Sequence, residues 1–352
     1  MATTLARIMN PDMTKTSKTS SHTLQDVGEA IGARERFIVA SHARPDGDAV
    51  GSQMAMALAL EALGKQVTVV SADPPPEVCR ALPGVDTIVI GPTVAGEWDA
   101  AIVMECGELA RTELTGLDGT FAINIDHHLG NTLYGDVNYF DESAAACGEL
   151  VHDIIGALGV PLTAQIARHL YVAILTDTGS FHHGAISART FDICSRLTAA
   201  GADPAALAHQ MFDQYGVGRL KVLGAVLTDM RLVGNDGVAV LAYDDALLTR
   251  SGATLDDLEG LVNLPLASRT VQAVVLFKTA AGEPIRVSLR SKGDVDVRAV
   301  AGTFGGGGHR NAAGCTLESS APDACDALVT RVVAAVNAGA ATAGDGDRSM
   351  GT

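Results

Sequence analysis

The chain has 352 residues, 47% of them hydrophobic and 19% charged, with a net charge of −16. That apolar content supports a packed core and excludes a disordered chain, and at about 100–200 residues per domain the length favours two domains. The acidic surplus excludes a protein that coats long nucleic acid by neutralising its phosphates, so an anionic ligand must be met locally, by a basic patch or by cations.

Residues 1–22 carry Arg7, Lys15 and Lys18 among Thr and Ser without an apolar core, and are expected to form a tail rather than a signal peptide. From 23 to 200 short apolar runs alternate with helical ones. Phe37–Ser41, Val67–Ser71, Thr87–Ile90, Ala101–Glu105 and Phe121–Asp126 read as strands, and none alternates with polar residues, as expected of strands buried on both faces. Gly51–Leu63, Gly148–Leu158, Thr163–Leu175 and Ala188–Ala200 read as helices. Strands separated by helices predict an α/β domain: a Rossmann-like parallel sheet with helices on both faces. Ligands of such sheets gather at the carboxyl ends of the strands.

Residues 201–223 read as a helical connector. A smaller α+β domain is expected over 224–337, with strands at Val238–Tyr243, Val271–Thr279 and Ile285–Arg290 and helices at Leu255–Val262 and Asp323–Asn337. Residues 338–352, rich in Ala, Gly and Asp, are expected to be a disordered tail. The six cysteines, at 79, 106, 147, 194, 315 and 325, form no Cys-x-x-Cys pair, which suits a reducing cytoplasm. The longest wholly apolar run, Met54–Leu60, falls far short of the ~20 residues of a membrane helix.

Chemistry-bearing residues cluster at predicted strand ends. His42, Asp46 and Asp48 follow the first strand, and an imidazole with carboxylates suits Mn²⁺-type ions; alone, the same residues could be a polar turn with a helix cap. Asp126-His127-His128 ends another apolar run, Glu105 ends a third, and Asp177 follows a helix. Five carboxylates near one point repel unless cations compensate them, and two divalent ions are the economical solution. In the second domain, Gly305–Gly308 precede His309-Arg310-Asn311. Glycines let backbone N–H groups approach an anion, and Arg310 adds a forked cation. Residues 273–315 hold six Lys/Arg against three acids, a basic island in an acidic chain.

These motifs, in this order, resemble the DHH phosphoesterase superfamily, in its two-domain NrnA-like branch of bifunctional oligoribonucleases and phosphoadenosine-phosphate phosphatases. The resemblance implies a cleft between the domains and a site of two Mn²⁺ ions, with Mg²⁺ or Co²⁺ as substitutes. Its ligands would be His42, Asp46, Asp48, His127 and Asp177, with Glu105 where the family usually has aspartate. His128 would contact the scissile phosphate and Asp126 would orient its neighbours, so that Asp48, Asp126, His127 and His128 form the catalytic group. Arg290, Ser291, Gly307, Gly308, His309, Arg310 and Asn311 would hold the substrate, either short RNA or a nucleoside 3′,5′-bisphosphate. The rival readings are a cyclic- or linear-dinucleotide phosphodiesterase, a family II pyrophosphatase, against which the Gly-rich loop speaks, and a catalytically degenerate nucleotide sensor. A homodimer is left open.

Overall fold

The computed structural model describes residues 21–346, except 183, 259, 281 and 319–321. The tail expected over 1–22 therefore falls almost wholly outside the described residues. The described residues divide into two compact units, one ending at Gln214 and the other beginning at Tyr215.

The first unit comprises α1 (Leu24–Gly32), β1 (Arg36–Ala40), α2 (Gly47–Ala62), β2 (Gln66–Ser71), β3 (Val89–Ile90), β4 (Ala100–Met104), β5 (Ala122–Asp126), β6 (Val137–Phe140), α3 (Cys147–Ala157), α4 (Ala164–Asp177), α5 (Ala188–Ala199) and α6 (Pro204–Phe212). All six strands are parallel, in the order β3-β2-β1-β4-β5-β6. The helices start where sequence chemistry directs. Thr23 and Asp26 close a capping box on α1, Asp46 caps α2, Thr163 caps α4, and Asp203 with Pro204 opens α6.

The α/β class and parallel sheet are as expected, but the α-helices do not divide between two faces. Phe37, Val39, Ile102, Met104, Ile123 and Ile125 pack with the helices in one core. The opposite face, with Ile38, Ala40, Val70, Ala101 and Val103, is covered by Val94, Trp98, Leu109, Leu114, Leu117 and Tyr134 from loops and a 3₁₀ turn. The covering connections are cut by Gly91-Pro92, Gly96, Gly107, Gly116 and Gly119, which deny them a helix. β6 escaped notice because Val-Asn-Tyr-Phe is short and half polar.

α2 begins at Gly47, one turn earlier than expected, which places Asp48 in its first turn. This helix is buried on nearly every side, between the sheet and α4. The close packing needs Gly51: a Cβ there would stand 2.4 Å from the His169 carbonyl oxygen of α4.

The second unit comprises α7 (Val217–Thr228), β7 (Arg231–Val233), β8 (Val238–Asp244), α8 (Asp245–Ser251), β9 (Ala273–Thr279), β10 (Ile285–Ser291), α9 (Val297–Gly302), β11 (Gly307–His309), β12 (Ala312–Leu317) and α10 (Pro322–Gly346). Its mixed sheet runs β11-β12-β10-β9-β8-β7, parallel only between β8 and β9. Val287, Leu289, Ala313 and Cys315 form a core with α9 and α10. α7 and α8 cover Ala239, Leu241, Val274 and Leu276 on the other face. The expected connector is two helices, α6 and α7, separated at the unit boundary. The helix expected over Leu255–Val262 is instead a pair of 3₁₀ turns, Asp256–Leu258 and Leu261–Ala267, the second containing Pro265. α10 continues past Asn337 to Gly346, into the stretch expected to be a tail.

Candidate metal centre

From β1 the chain builds outward through β2 and β3, then returns through β4 on the opposite side of β1. β1 and β4 thus meet at a topological switch point, the crevice where parallel sheets bind ligands. His42, Asp46 and Asp48 follow β1, Glu105 follows β4, and Asp126-His127-His128 spans the end of β5. Asp177 is the last residue of α4. Glu105 turns the chain sharply, in the left-handed region at φ 56°, a conformation costly for a residue with a side chain.

Two groups of ligand atoms form among the described residues, Glu105-His127-His128 and Asp48-His127-Asp177, the atoms of each within 4.8 Å of one another. They share His127. Its Nδ1–H donates to the Ala144 carbonyl at 2.9 Å, which leaves Nε2 as the ligand atom. That Nε2 lies 2.9 Å from Glu105 Oε1 and 3.6 Å from Asp177 Oδ2. Glu105 Oε2 lies 3.0 Å from His128 Nδ1. Although so close, both Glu105 oxygens and His127 Nε2 are buried without a hydrogen-bond partner. Buried polar atoms left unmet, converging on one point from oxygen and imidazole donors, fit a divalent cation.

The electrostatics agree with a site built for positive charge. Burial and the neighbouring Glu105 and Asp177 carboxylates push Asp48 well above the usual carboxylate range. Burial, then Glu105, lifts Asp177 to about 6. Burial would raise Glu105 too, but the two histidines outweigh it and hold the group low. Burial pulls His127 down, yet Glu105 more than compensates and lifts it to about 9. The hydrogen bond to Asp126, reinforced by the charge of the nearby Glu105 carboxylate, lifts His128 to about 11.

Asp48 is fully buried, and its carboxylate also takes Cys147 N–H at 2.6 Å, Gly148 N–H at 3.0 Å and Ser52 Oγ–H at 2.7 Å. Asp126 Oδ1 accepts the N–H groups of His127 and His128 and the His128 ring at 2.9 Å, an orienting role. His42 and Asp46 lie outside both ligand groups. The His42 Nδ1–H donates to the Ala43 carbonyl at 2.8 Å, the same tautomer as His127. Asp46 Oδ1 caps α2 through Ala49 N–H at 3.0 Å, while its charge acts on Asp48 and Asp177. Asn124 and Asn131, which buttress Asp126, were not anticipated; an asparagine inside the apolar run Ala122–Asp126 was the available signal.

In the second unit the Gly-rich segment is strand and turn rather than an open anion loop. Gly307 and His309 pair with Gly314 and Ala312. Gly308, at φ 135°, is required because a Cβ would stand 2.5 Å from the Ala312 carbonyl oxygen. Asn311 Nδ2 donates to Ser291 Oγ and the Gly293 carbonyl, and Ser291 Oγ–H donates to the Val295 carbonyl. Both side chains therefore brace the turn. Arg310 pairs with Asp294 at 3.2 Å and donates to its carbonyl. Arg290 and His309 both stand opposite Ala312, so they flank it on one sheet face. The next rows on that face hold Ser288 with Gly314, then Arg286 with Thr316 and Lys278. Burial holds the Arg290 guanidinium below its usual range, and no carboxylate among the described residues offsets this. The result is a basic face with a floor of small residues.

Residues 36–174 match the N-terminal domain of the DHH family and residues 235–338 the DHHA1 domain. The chain is 34% identical over 303 residues to the bifunctional oligoribonuclease and PAP phosphatase NrnA of Thermus thermophilus, spanning 83% of this chain and 87% of that protein. It belongs to the NrnA family of DHH proteins. Among solved structures, an exopolyphosphatase-related protein from Bacteroides fragilis superposes with a TM-score of 0.80 at 23% identity, over 88% of this chain and 95% of its own. RecJ in complex with Mn²⁺ from Thermus thermophilus shares the fold at a TM-score of 0.53 and 15% identity, over 89% of this chain and 54% of its own. Among the described residues no helix is long and apolar enough to cross a membrane.

Proposed function

We propose that this chain is a cation-dependent phosphoesterase of the cytoplasm. It releases mononucleotides from short oligoribonucleotides and phosphate from adenosine 3′,5′-bisphosphate, using two Mn²⁺ ions. The observation that carries the reading is the pair of ligand groups joined through His127, with unmet oxygens of Glu105 at their centre. Asp48, Glu105, His127 and Asp177 would hold the ions, with His42 Nε2 and Asp46 as the remaining donors. Ions bound there supply an activated water and neutralise charge during in-line displacement at phosphorus.

The chain's own residues do the rest. Asp48 fixes its position through three hydrogen bonds, so its geometry is set before a ligand arrives. His128, with its Nδ1 held by Asp126, offers Nε2 to a phosphoryl oxygen. Arg290 and His309 supply a basic face for nucleotide phosphates in the second unit. The names of the NrnA relatives support the two substrate classes.

The test is hydrolysis of a diribonucleotide, adenosine 3′,5′-bisphosphate and a cyclic dinucleotide by the metal-free protein, with Mn²⁺ added back. Release of product from the first two, dependent on Mn²⁺, is expected. Saturable binding without product from any of them would favour a sensor instead, and turnover of the cyclic compound alone would assign the phosphodiesterase reading.

A further inference from the structure

We propose that Asn131 is a positioning residue for His128, acting through Asp126 and backed by Asn124; the assignment rests on the proposed phosphoesterase reading. Asp126 is fully buried and works with both oxygens. Oδ1 serves the His127-His128 turn and the His128 ring. Oδ2 accepts a hydrogen bond from Asn131 Nδ2 at 2.6 Å. The same Nδ2 donates to Asn124 Oδ1 at 2.9 Å, while Asn131 Oδ1 accepts Leu133 N–H at 2.7 Å. Asn124, also fully buried, donates through Nδ2 to the Val103 and Cys106 carbonyls and to the Tyr134 hydroxyl.

These contacts fix both amides. Asn131 cannot flip, because its oxygen must face Leu133 N–H; Asn124 cannot flip, because its nitrogen must face two carbonyls. The donor pointed at Asp126 Oδ2 is therefore unambiguous. With Oδ2 tied, Asp126 is held in one rotamer and Oδ1 stays on His128 Nδ1. The ring needs this restraint, since Glu105 Oε2 lies 3.0 Å from the same Nδ1. An untethered Asp126 would cede His128 to Glu105, turning the imidazole and drawing a carboxylate away from the cation site. The side chain of His128 is 41% exposed, so the Nε2 left over by this arrangement is the atom able to meet a ligand.

Two measurements decide the proposal. Asn131→Asp keeps shape and packing but places an oxygen against Asp126 Oδ2, and Asn131→Ala removes the donor outright. For both, kcat on a diribonucleotide should fall about 10- to 100-fold, with KM and Mn²⁺ stoichiometry little changed. Asn131→Ala should add no further loss to Asp126→Asn, because the two act as one unit. Independently of turnover, imidazole ¹⁵N NMR of the Mg²⁺-loaded protein should show a protected Nδ1–H on His128 in the wild type that is lost in both Asn131 variants. Additive losses, or a protected proton surviving in the variants, would overturn the relay. Wild-type protein inactive on every ester would instead overturn the phosphoesterase reading, and the NMR comparison would still judge the relay.

Discussion

Asp48 Oδ2 accepts the backbone N–H of Cys147 at 2.6 Å, which joins the first turn of α2 to the start of α3, 99 residues along the chain. A candidate cation ligand is thus also a cap for another helix. Asp48→Ala relieves repulsion with Glu105 and Asp177, but it leaves the buried N–H groups of Cys147 and Gly148 without an acceptor. An unmet buried donor costs about 1–3 kcal/mol. The variant is therefore expected to melt below the wild type when both are metal-free, and to lose hydrolysis when Mn²⁺ is supplied. Calorimetry of the metal-free proteins checks this, and an unchanged or higher Tm would show that repulsion dominates.

Glu105 is expected to hold the cation through its charge. Glu105→Gln should bind Mn²⁺ at least ten-fold more weakly, since the amide preserves length and loses the anion. Glu105→Asp should keep binding at raised Mn²⁺, its reach shortened by one methylene. Titration calorimetry with Mn²⁺ separates the two, and equal affinity of Glu105→Gln and wild type would remove Glu105 from the centre.

Gly51 is expected to be irreplaceable. Alanine favours a helix over glycine by up to about 1 kcal/mol, whereas overpacking costs about 1–3 kcal/mol. A Cβ 2.4 Å from the His169 carbonyl oxygen meets rigid backbone, so the second effect should win. Gly51→Ala should lower Tm, and because α2 and α4 carry Asp48 and Asp177, it should also weaken Mn²⁺ binding. A Tm at or above that of the wild type would mean the helices separate freely.

His169 sets a pH dependence away from the cation site. Burial lowers its pKa from 6.5 to about 4, against the opposing effect of its Nε2–H bond to the Pro83 carbonyl. Between pH 4 and 6.5 the unfolded chain binds this proton and the folded one does not, so stability rises with pH across that window and is complete above it. At 1.36 kcal/mol per unit the contribution approaches about 3 kcal/mol. His169→Gln keeps a donor for Pro83 and should flatten the acid limb of a urea-denaturation series between pH 4 and 6.5. A limb as steep as in the wild type would assign it to other groups.

The sequence made the chemistry of the centre legible because parallel strands deliver their loops to one edge. Glu105, Asp126, His127 and His128 all lie at ends of buried apolar runs, and such runs are readable. What escaped depended on partners distant in the chain. Nothing near Asp48 announces that it caps a helix starting at Cys147. Ser291 and Asn311 looked like ligand groups beside a basic loop, yet each meets a carbonyl of the turn between β10 and α9. Loops replaced helices on one sheet face for a reason present in the sequence: the glycines of residues 91–119, with Pro92, break any helix there.

Both sheets end in edges that offer little to another strand. β3 has two residues, β7 three, and β11 three, of which two are glycine. The fourth edge, β6, is occupied: His22 N–H donates to the Asn138 carbonyl at 2.6 Å, His22 Nδ1 accepts Asn138 N–H, and Ser21 Oγ accepts Phe140 N–H. Unpaired strand edges are the templates on which folded proteins stick to one another. A chain with nearly half its residues apolar is thereby guarded against β-type self-association, and removing residues 21 and 22 would open its one guarded seam to a neighbour.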